Sequence, residues 1–485
     1  MSFSIETFLF VTIILILFYL IKKARAVILL AASLVFIYHL GVGSFIWILA
    51  VTAIVYGIGI AEDKLIERIE KKKDKSAVTL KILVVASVVL CAVLLFALKN
   101  IARWGERDDA LIKILLPIGF SYYIFQAISY IVDVYRRKAK AEKNPINFAL
   151  YMCYFPKFVS GPIERSDTFL KQIKELSGVR LFENKRFSIS FSTIIYGYFL
   201  KVVVADRLAF FTTRLLNDSA RFGAAWLFLG MVMYSIQIYC DFAGYSAVAI
   251  GISNLFGIEL TENFHAPYLS RNISEFWRKW HISLSRWLRD YIYIPLGGSR
   301  KGNARRFLNT AIVFIICGIW HGADASFLAW GLLHGFYVMA FGLYSEAKRK
   351  RATGKEPASI MNVAGMVFTF LIVSFAWIFF GAPNIGSGAC YVGRMLSMTP
   401  GVDSFAAQAA DIGASRRDMI LPIYGVVVLA LDLLIARKDK RIGRAMQGIP
   451  DVARYAILYG MIMAILLLGI YGPGYNASSF MYVNF

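Results

Sequence analysis

Residues 307–336 read FLNTAIVFIICGIWHGADASFLAWGLLHGF. From Phe307 to Trp320 the run is apolar, and at 1.5 Å per residue it makes a helix of about 21 Å. It starts beside a basic block, Arg300 to Arg306. A hydrocarbon core is about 30 Å thick, so a helix entering from that block stops short of the far side and leaves His321 deep in the membrane. Gly322 follows, Asp324 begins the turn back, and His334 falls inside the returning helix. An ionisable side chain at membrane depth is a functional hypothesis by default, and imidazole takes and returns a proton near neutral pH.

The rest of the chain fits that setting. Of its 485 residues, 58% are hydrophobic and 17% charged, against about 25% charged in an ordinary soluble protein. Mean hydropathy is +0.60. Apolar runs at 7–21, 26–42, 44–61, 79–98, 114–135, 187–204, 224–250, 308–321, 325–344, 361–381, 420–436 and 453–471 predict an all-α polytopic membrane protein of about ten to twelve membrane helices. Several runs are shorter than the roughly 20 residues an unaided crossing needs, which predicts buried, tilted, re-entrant or interfacial helices. No repeat and no Pro/Ser-rich linker divides residues 1–485, so one integral-membrane domain is expected.

The formal charge of +22 would suggest nucleic acid in a soluble protein. Here the basic residues cluster in short loops, as cytoplasmic loops do, and no nucleic-acid partner is expected. Placing Lys22 to Arg25, the 62–75 stretch, Arg136 to Lys143, Arg300 to Arg306, Lys348 to Lys355 and Arg437 to Arg444 in the cytoplasm leaves the charge-balanced loops 99–113 and 382–419 outside. Both termini then face outward. Lys22, Lys23 and Arg25 follow the first apolar run rather than precede it, which predicts a retained span, not a cleaved signal. Cys91, Cys153, Cys240, Cys317 and Cys390 form no CxxC pair and read as small buried hydrophobes.

Residues 251–306 are too polar to cross lipid and too apolar for a free loop. Trp277, Trp280, His281, Leu284, Trp287, Leu288 and Tyr291 recur at spacing three to four and predict one helical face. Arg278, Lys279, Arg286 and Arg289 lie mostly off it. Asn272 or Ser274 would cap this helix, with Glu275 in its first turn, and Pro295, Gly297 and Gly298 end it. The insert is either an interfacial helix anchored by tryptophans or a cavity wall where Arg and Lys meet an anionic substrate; its length between spans favours the cavity. His281 and His321 read equally as buried core or as chemistry. His334 and His39 read as core histidines hydrogen-bonded across helices, and His265 as a loop residue. Asp241, inside an apolar run, would pair with a cation, orient a histidine or cap a broken helix. Glu164 and Arg165 follow a Gly-Pro break and predict a structural turn. No phosphate-binding Gly-rich loop, GxSxG elbow, HExxH or other metal spacing occurs.

On these stretches the chain resembles the membrane-bound O-acyltransferase family, and within it the alginate O-acetyltransferase (AlgI-like) branch. The likeness is dense over 116–345, carried by LPIGFSYYIFQ, CYFPKFVSGPIERSD, QIYCDFAGYSAVAIG, WRKWHISLS and CGIWHGA, and looser at the ends, including SSFMYVNF at 478–485. One departure is Ala247, where the branch commonly carries Asp. The resemblance implies a funnel-like helical core, a catalytic histidine at His321 and a second family histidine at His281. It also implies an acyl relay through the membrane. Acetyl-CoA or another acyl thioester would serve as donor from the cytoplasm, with no tightly bound cofactor, and Arg278, Arg286, Arg289, Trp280 and Asp241 as candidate donor-site residues. The acyl group would pass to a cell-envelope polysaccharide such as alginate, completed by an extracytoplasmic partner, in a bacterial cytoplasmic membrane. D-alanyl transfer to teichoic acid is the alternative within the family. A transporter is the alternative outside it, and would show paired broken helices and internal symmetry.

Overall fold

A computed structural model describes residues 5–72, 76–104, 119–180, 183–351, 359–398, 400–401, 404–412, 421–438 and 441–470. Residues 105–113 of the expected outer loop, 413–419 of the second one, 73–75, 352–355 and 439–440 of the basic blocks, and the 478–485 ending lie outside the described residues. Among those described there is no strand.

Hydropathy writes the helices. Eight are long and apolar enough to cross a membrane: Lys22–Leu40, Val42–Lys71, Ala77–Lys99, Lys185–Asn217, Ala224–Leu255, Ala325–Lys348, Asn362–Gly381 and Asp451–Leu468. Helices Ile5–Leu20, Phe120–Tyr135, Gly302–His321 and Leu421–Lys438 occupy the other predicted runs. Large apolar side chains such as Phe8, Leu20, Val35, Ile54, Val85 and Phe368 stand exposed along these helices. On helices of this length and hydropathy, such a surface is what a membrane protein presents to lipid. The chain is an all-α, multi-pass membrane protein.

It forms two compact units. The described residues of the first lie within 1–194 and 245–261. Its polar interior is tied by buried side chains. Arg25 is 2% exposed, unlike its neighbours Lys22 and Lys23. Its guanidinium donates to the carbonyls of Phe18 (3.0 Å), Leu176 (2.6 Å) and Val179 (2.8 Å) and lies over the Phe18 ring. One residue of that basic block is therefore a structural clamp. Glu164 is a clamp as well, its carboxylate accepting from the Thr261 N–H (2.5 Å) and hydroxyl (3.1 Å).

The second unit comprises 195–244 and 262–476. Helices Gly302–His321 and Ala325–Arg351 form an antiparallel hairpin within it. Small residues allow the close approach, as is usual between membrane helices. A Cβ on Gly318 would lie 2.7 Å from the Phe327 carbonyl oxygen, and one on Gly331 would collide with the Phe314 carbonyl. Gly393 has open space around it. Overpacking costs about 1–3 kcal/mol, so Gly331→Val should lower the thermal midpoint in detergent while Gly393→Ala leaves it within a degree or so of wild type. An unmoved midpoint for Gly331→Val would refute this contact.

Candidate active site

Except for His39, the side chains described in this section belong to the second unit. The 251–306 insert supplies its first element, and here the structure corrects the prediction of one continuous helical face. Helix Ile273–Lys279 stops, Trp280 is extended (ψ 129°), His281 turns left-handed (φ 42°, ψ 55°), and a new helix runs Ile282–Leu288. The reason is tertiary. The Lys279 carbonyl accepts from the His265 N–H (3.1 Å), and the Ile282 N–H donates to the Asn263 carbonyl (3.0 Å). The Asn263 side-chain oxygen accepts from the Ser283 N–H (3.3 Å) and hydroxyl (2.7 Å). Backbone groups that a continuous helix would pair internally are paired by a neighbouring segment instead. Histidine tolerates the left-handed region better than most residues, and such conformations gather at active sites. Asn272 caps the first helix as expected, accepting from the Glu275 N–H (2.9 Å), and Glu275 accepts from the Arg271 N–H (2.9 Å). After Ile282–Leu288 a single π-helical turn, Arg289–Tyr293, leads out.

The second element is the end of the Gly302–His321 helix. The Gly322 N–H returns to the Gly318 carbonyl (3.3 Å). Asp324 then turns the chain, its carboxylate accepting from the Ser326 N–H (2.9 Å). His321 is thus the last residue of its helix, as the sequence predicts, and is 3% exposed.

Aromatic rings connect the two histidines. His281 meets Phe242 edge to face (4.7 Å between centroids), and its neighbour Trp280 packs on Trp377 (4.9 Å). Trp377 stacks on Trp330 (5.5 Å), and Trp330 stands perpendicular to His321 (5.0 Å). Phe380 touches both His321 (4.9 Å) and Trp377 (5.2 Å). Burial pushes the His281 imidazole down to about 3, so it is neutral at physiological pH and able to accept a hydrogen bond. Trp280 is a buried part of this wall. Among the described residues no group of three His, Cys, Asp or Glu is placed to hold a metal ion.

The remaining predicted residues separate. Arg278, Arg286 and Arg289 are all exposed, and Arg289 contacts Asp290 (2.8 Å). Asp241 is buried and paired with Lys201 (2.5 Å), which also meets Asp206 (2.8 Å). That is the cation-pairing option among its readings. Lys201 sits in a π-helical stretch, Phe199–Ala205. It was overlooked as a charge inside the 187–204 apolar run, the same signal that singled out Asp241. Asp432, in another apolar run, accepts from the Tyr239 hydroxyl (2.7 Å) and was overlooked in the same way. His265 faces Glu262 (3.5 Å). Two histidine readings need correction. His39 lies exposed in the last turn of helix Arg25–Leu40, where the helix end leaves it no core to join. His334 is fully buried, but not by cross-helix hydrogen bonds. It is packed among Phe276, Trp277, Phe314, Trp330, Tyr337 and Trp377.

A family model of the membrane-bound O-acyltransferases matches residues 32–382, which include both histidine motifs. The chain belongs to that family. It is 39% identical over 300 residues to the probable alginate O-acetylase AlgI of Pseudomonas putida, covering 61% of this chain and 58% of that one. With the protein of the same name from Pseudomonas aeruginosa it shares 35% over 399 residues, 79% of this chain and 72% of the relative. With the peptidoglycan O-acetyltransferase of Helicobacter pylori it shares 33% over 308 residues, 59% and 57% of the two chains. The chain therefore spans less than two thirds of the length of two of these three relatives, and the likeness at 35–39% identity supports the AlgI-like branch of the family.

The Lys201 cluster makes a testable claim. Removing one partner of a buried ion pair costs about 3–5 kcal/mol, whereas removing both is far milder. Lys201→Ala should sharply lower the thermal midpoint and the monodisperse yield in detergent. Lys201→Met combined with Asp206→Asn and Asp241→Asn should recover most of that loss, and a triple variant as poor as the single one would refute the pairing.

Proposed function

We propose that this chain is an O-acyltransferase of the bacterial cytoplasmic membrane, with both termini on the extracytoplasmic side. It relays an acyl group, most simply acetyl, from a cytoplasmic thioester to an extracytoplasmic hydroxyl on a cell-envelope polysaccharide of the alginate kind. The observation that carries this reading is the setting of His321: a buried imidazole at the end of its helix, joined by packed rings to a second buried imidazole, inside the family's matched segment. Names of the relatives support acetyl as the group and a polysaccharide as the acceptor.

In this reading His321 is the general base. It takes the proton of the acceptor hydroxyl as the oxygen attacks the thioester carbonyl, and returns it to the departing thiolate. Holding both reactants in one dry chamber supplies orientation and excludes competing water. His281, neutral and held in a strained left-handed turn, orients the acceptor or passes its proton. The exposed Arg278, Arg286 and Arg289 suit the phosphates of acetyl-CoA, which is a substrate and not a resident cofactor. Trp280 walls the chamber, and Asp241 acts through Lys201. A separate extracytoplasmic protein would complete transfer to the polymer.

The test uses inside-out membrane vesicles and radiolabelled acetyl-CoA. Label should reach a lumenal acceptor with wild type and fall at least about 1,000-fold with His321→Ala, the scale on which catalytic acid–base groups act. Equal labelling by the two would remove His321 as the base. Glycan movement without any acyl turnover would replace the enzyme by a transporter.

A further inference from the structure

His334 and Trp330 stand four residues apart on helix Ala325–Arg351, so they share one helix face. Their rings are in contact, with centroids 5.1 Å apart. Trp330 is 1% exposed and His334 0%. Among the described residues, the Trp330 indole N–H and both His334 ring nitrogens are buried without a hydrogen-bond partner. That is three polar atoms in one contact pair. A buried polar atom left unpaired costs about 1–3 kcal/mol, and Phe or Met would fill the same space without that cost. Such an arrangement is sustained where a ligand completes the pairing during function. The position says which ligand atom. Trp330 stands against the His321 ring at 5.0 Å, where the reacting carbonyl must come.

Building on the acyl-transfer reading above, we propose that the Trp330 indole N–H and a His334 ring N–H form the oxyanion site of the reaction. The acceptor O–H gives its proton to His321, and the oxygen forms a bond to the thioester carbonyl carbon. The carbonyl π pair moves onto its oxygen, and that oxyanion takes the two N–H bonds. As the carbonyl re-forms, the C–S bond breaks, and the thiolate takes the proton from His321. Donors already in place and held dry by packed rings need no reorganisation when charge develops, which is where most electrostatic catalysis arises. The Trp377 ring stacked on Trp330 at 5.5 Å and the rings around His334 fix both donors.

The vesicle assay is run over a range of acetyl-CoA concentrations for wild type, Trp330→Phe, His334→Met, His334→Gln and His321→Ala. Each variant is first compared with wild type by thermal midpoint in detergent. Trp330→Phe keeps a ring and loses only the donor; its kcat should fall about 100-fold or more, the usual effect of removing one oxyanion donor, with KM for acetyl-CoA changed less than about threefold. His334→Met should do the same, and His334→Gln, which restores an N–H, should recover at least about tenfold over Met. A merely structural role would move the midpoint and treat Gln and Met alike. Should Trp330→Phe fail to fold, the Gln-to-Met ratio decides. Unchanged kcat in Trp330→Phe or equal rates for Gln and Met, with His321→Ala inactive, would overturn the oxyanion site and leave the acyl-transfer reading standing. A KM effect alone would overturn it too. Full activity in His321→Ala, or no labelling by wild type, would overturn the acyl-transfer reading and the oxyanion site with it.

Discussion

Where lipid replaces water, every polar group must find its partner inside the protein. That constraint shapes the second unit. His265 and Asn263 supply the bonds that the Trp280–His281 break removes, His265 for helix Ile273–Lys279 and Asn263 for its successor. Without them, the period of Trp277, Trp280, Leu284 and Trp287 would wind on as one helix, and His281 would be one more residue on its face. With them, the chain bends at His281, and the imidazole is fixed against Phe242 while Trp280 turns toward Trp377. Arg25 and Lys201 answer the same demand, one with carbonyls and the other with two carboxylates.

Aromatic packing then sets the medium for the chemistry. Trp280, Trp377, Trp330 and Phe380 pack as a continuous series of rings that ends against His321. In such a medium charges interact far more strongly than in water. Three contributing segments come from distant parts of the sequence: 277–281, 320–334 and 377–380. The arginines of the insert, Arg278, Arg286 and Arg289, are exposed instead.

The legible and the hidden parts of the site differ by cause. His321 was legible because its signal is local: an apolar run, a glycine and an aspartate in order. The Asn272 cap was legible for the same reason. Lys201 and Asp432 carried a local signal, a charge within an apolar run, that is readable once Asp241 is read that way. The break at His281 had no local signal, since its cause is a set of hydrogen bonds that Ile282 and Ser283 donate to Asn263, 18 positions before His281. His334 looked like a core histidine because its helix is apolar, and the residues that pack around it come from four separate helices.

By itself the sequence determined an all-helical membrane protein, the positions of most of its helices, the family and the two histidine motifs, because hydropathy and short-range spacing act within a turn or two of the chain. Tertiary structure alone decided that the insert breaks into two helices, that Asp241 is held by Lys201, and that His321 and His334 share Trp330. Those outcomes depend on which distant segment supplies the missing partner for a polar group that water cannot reach.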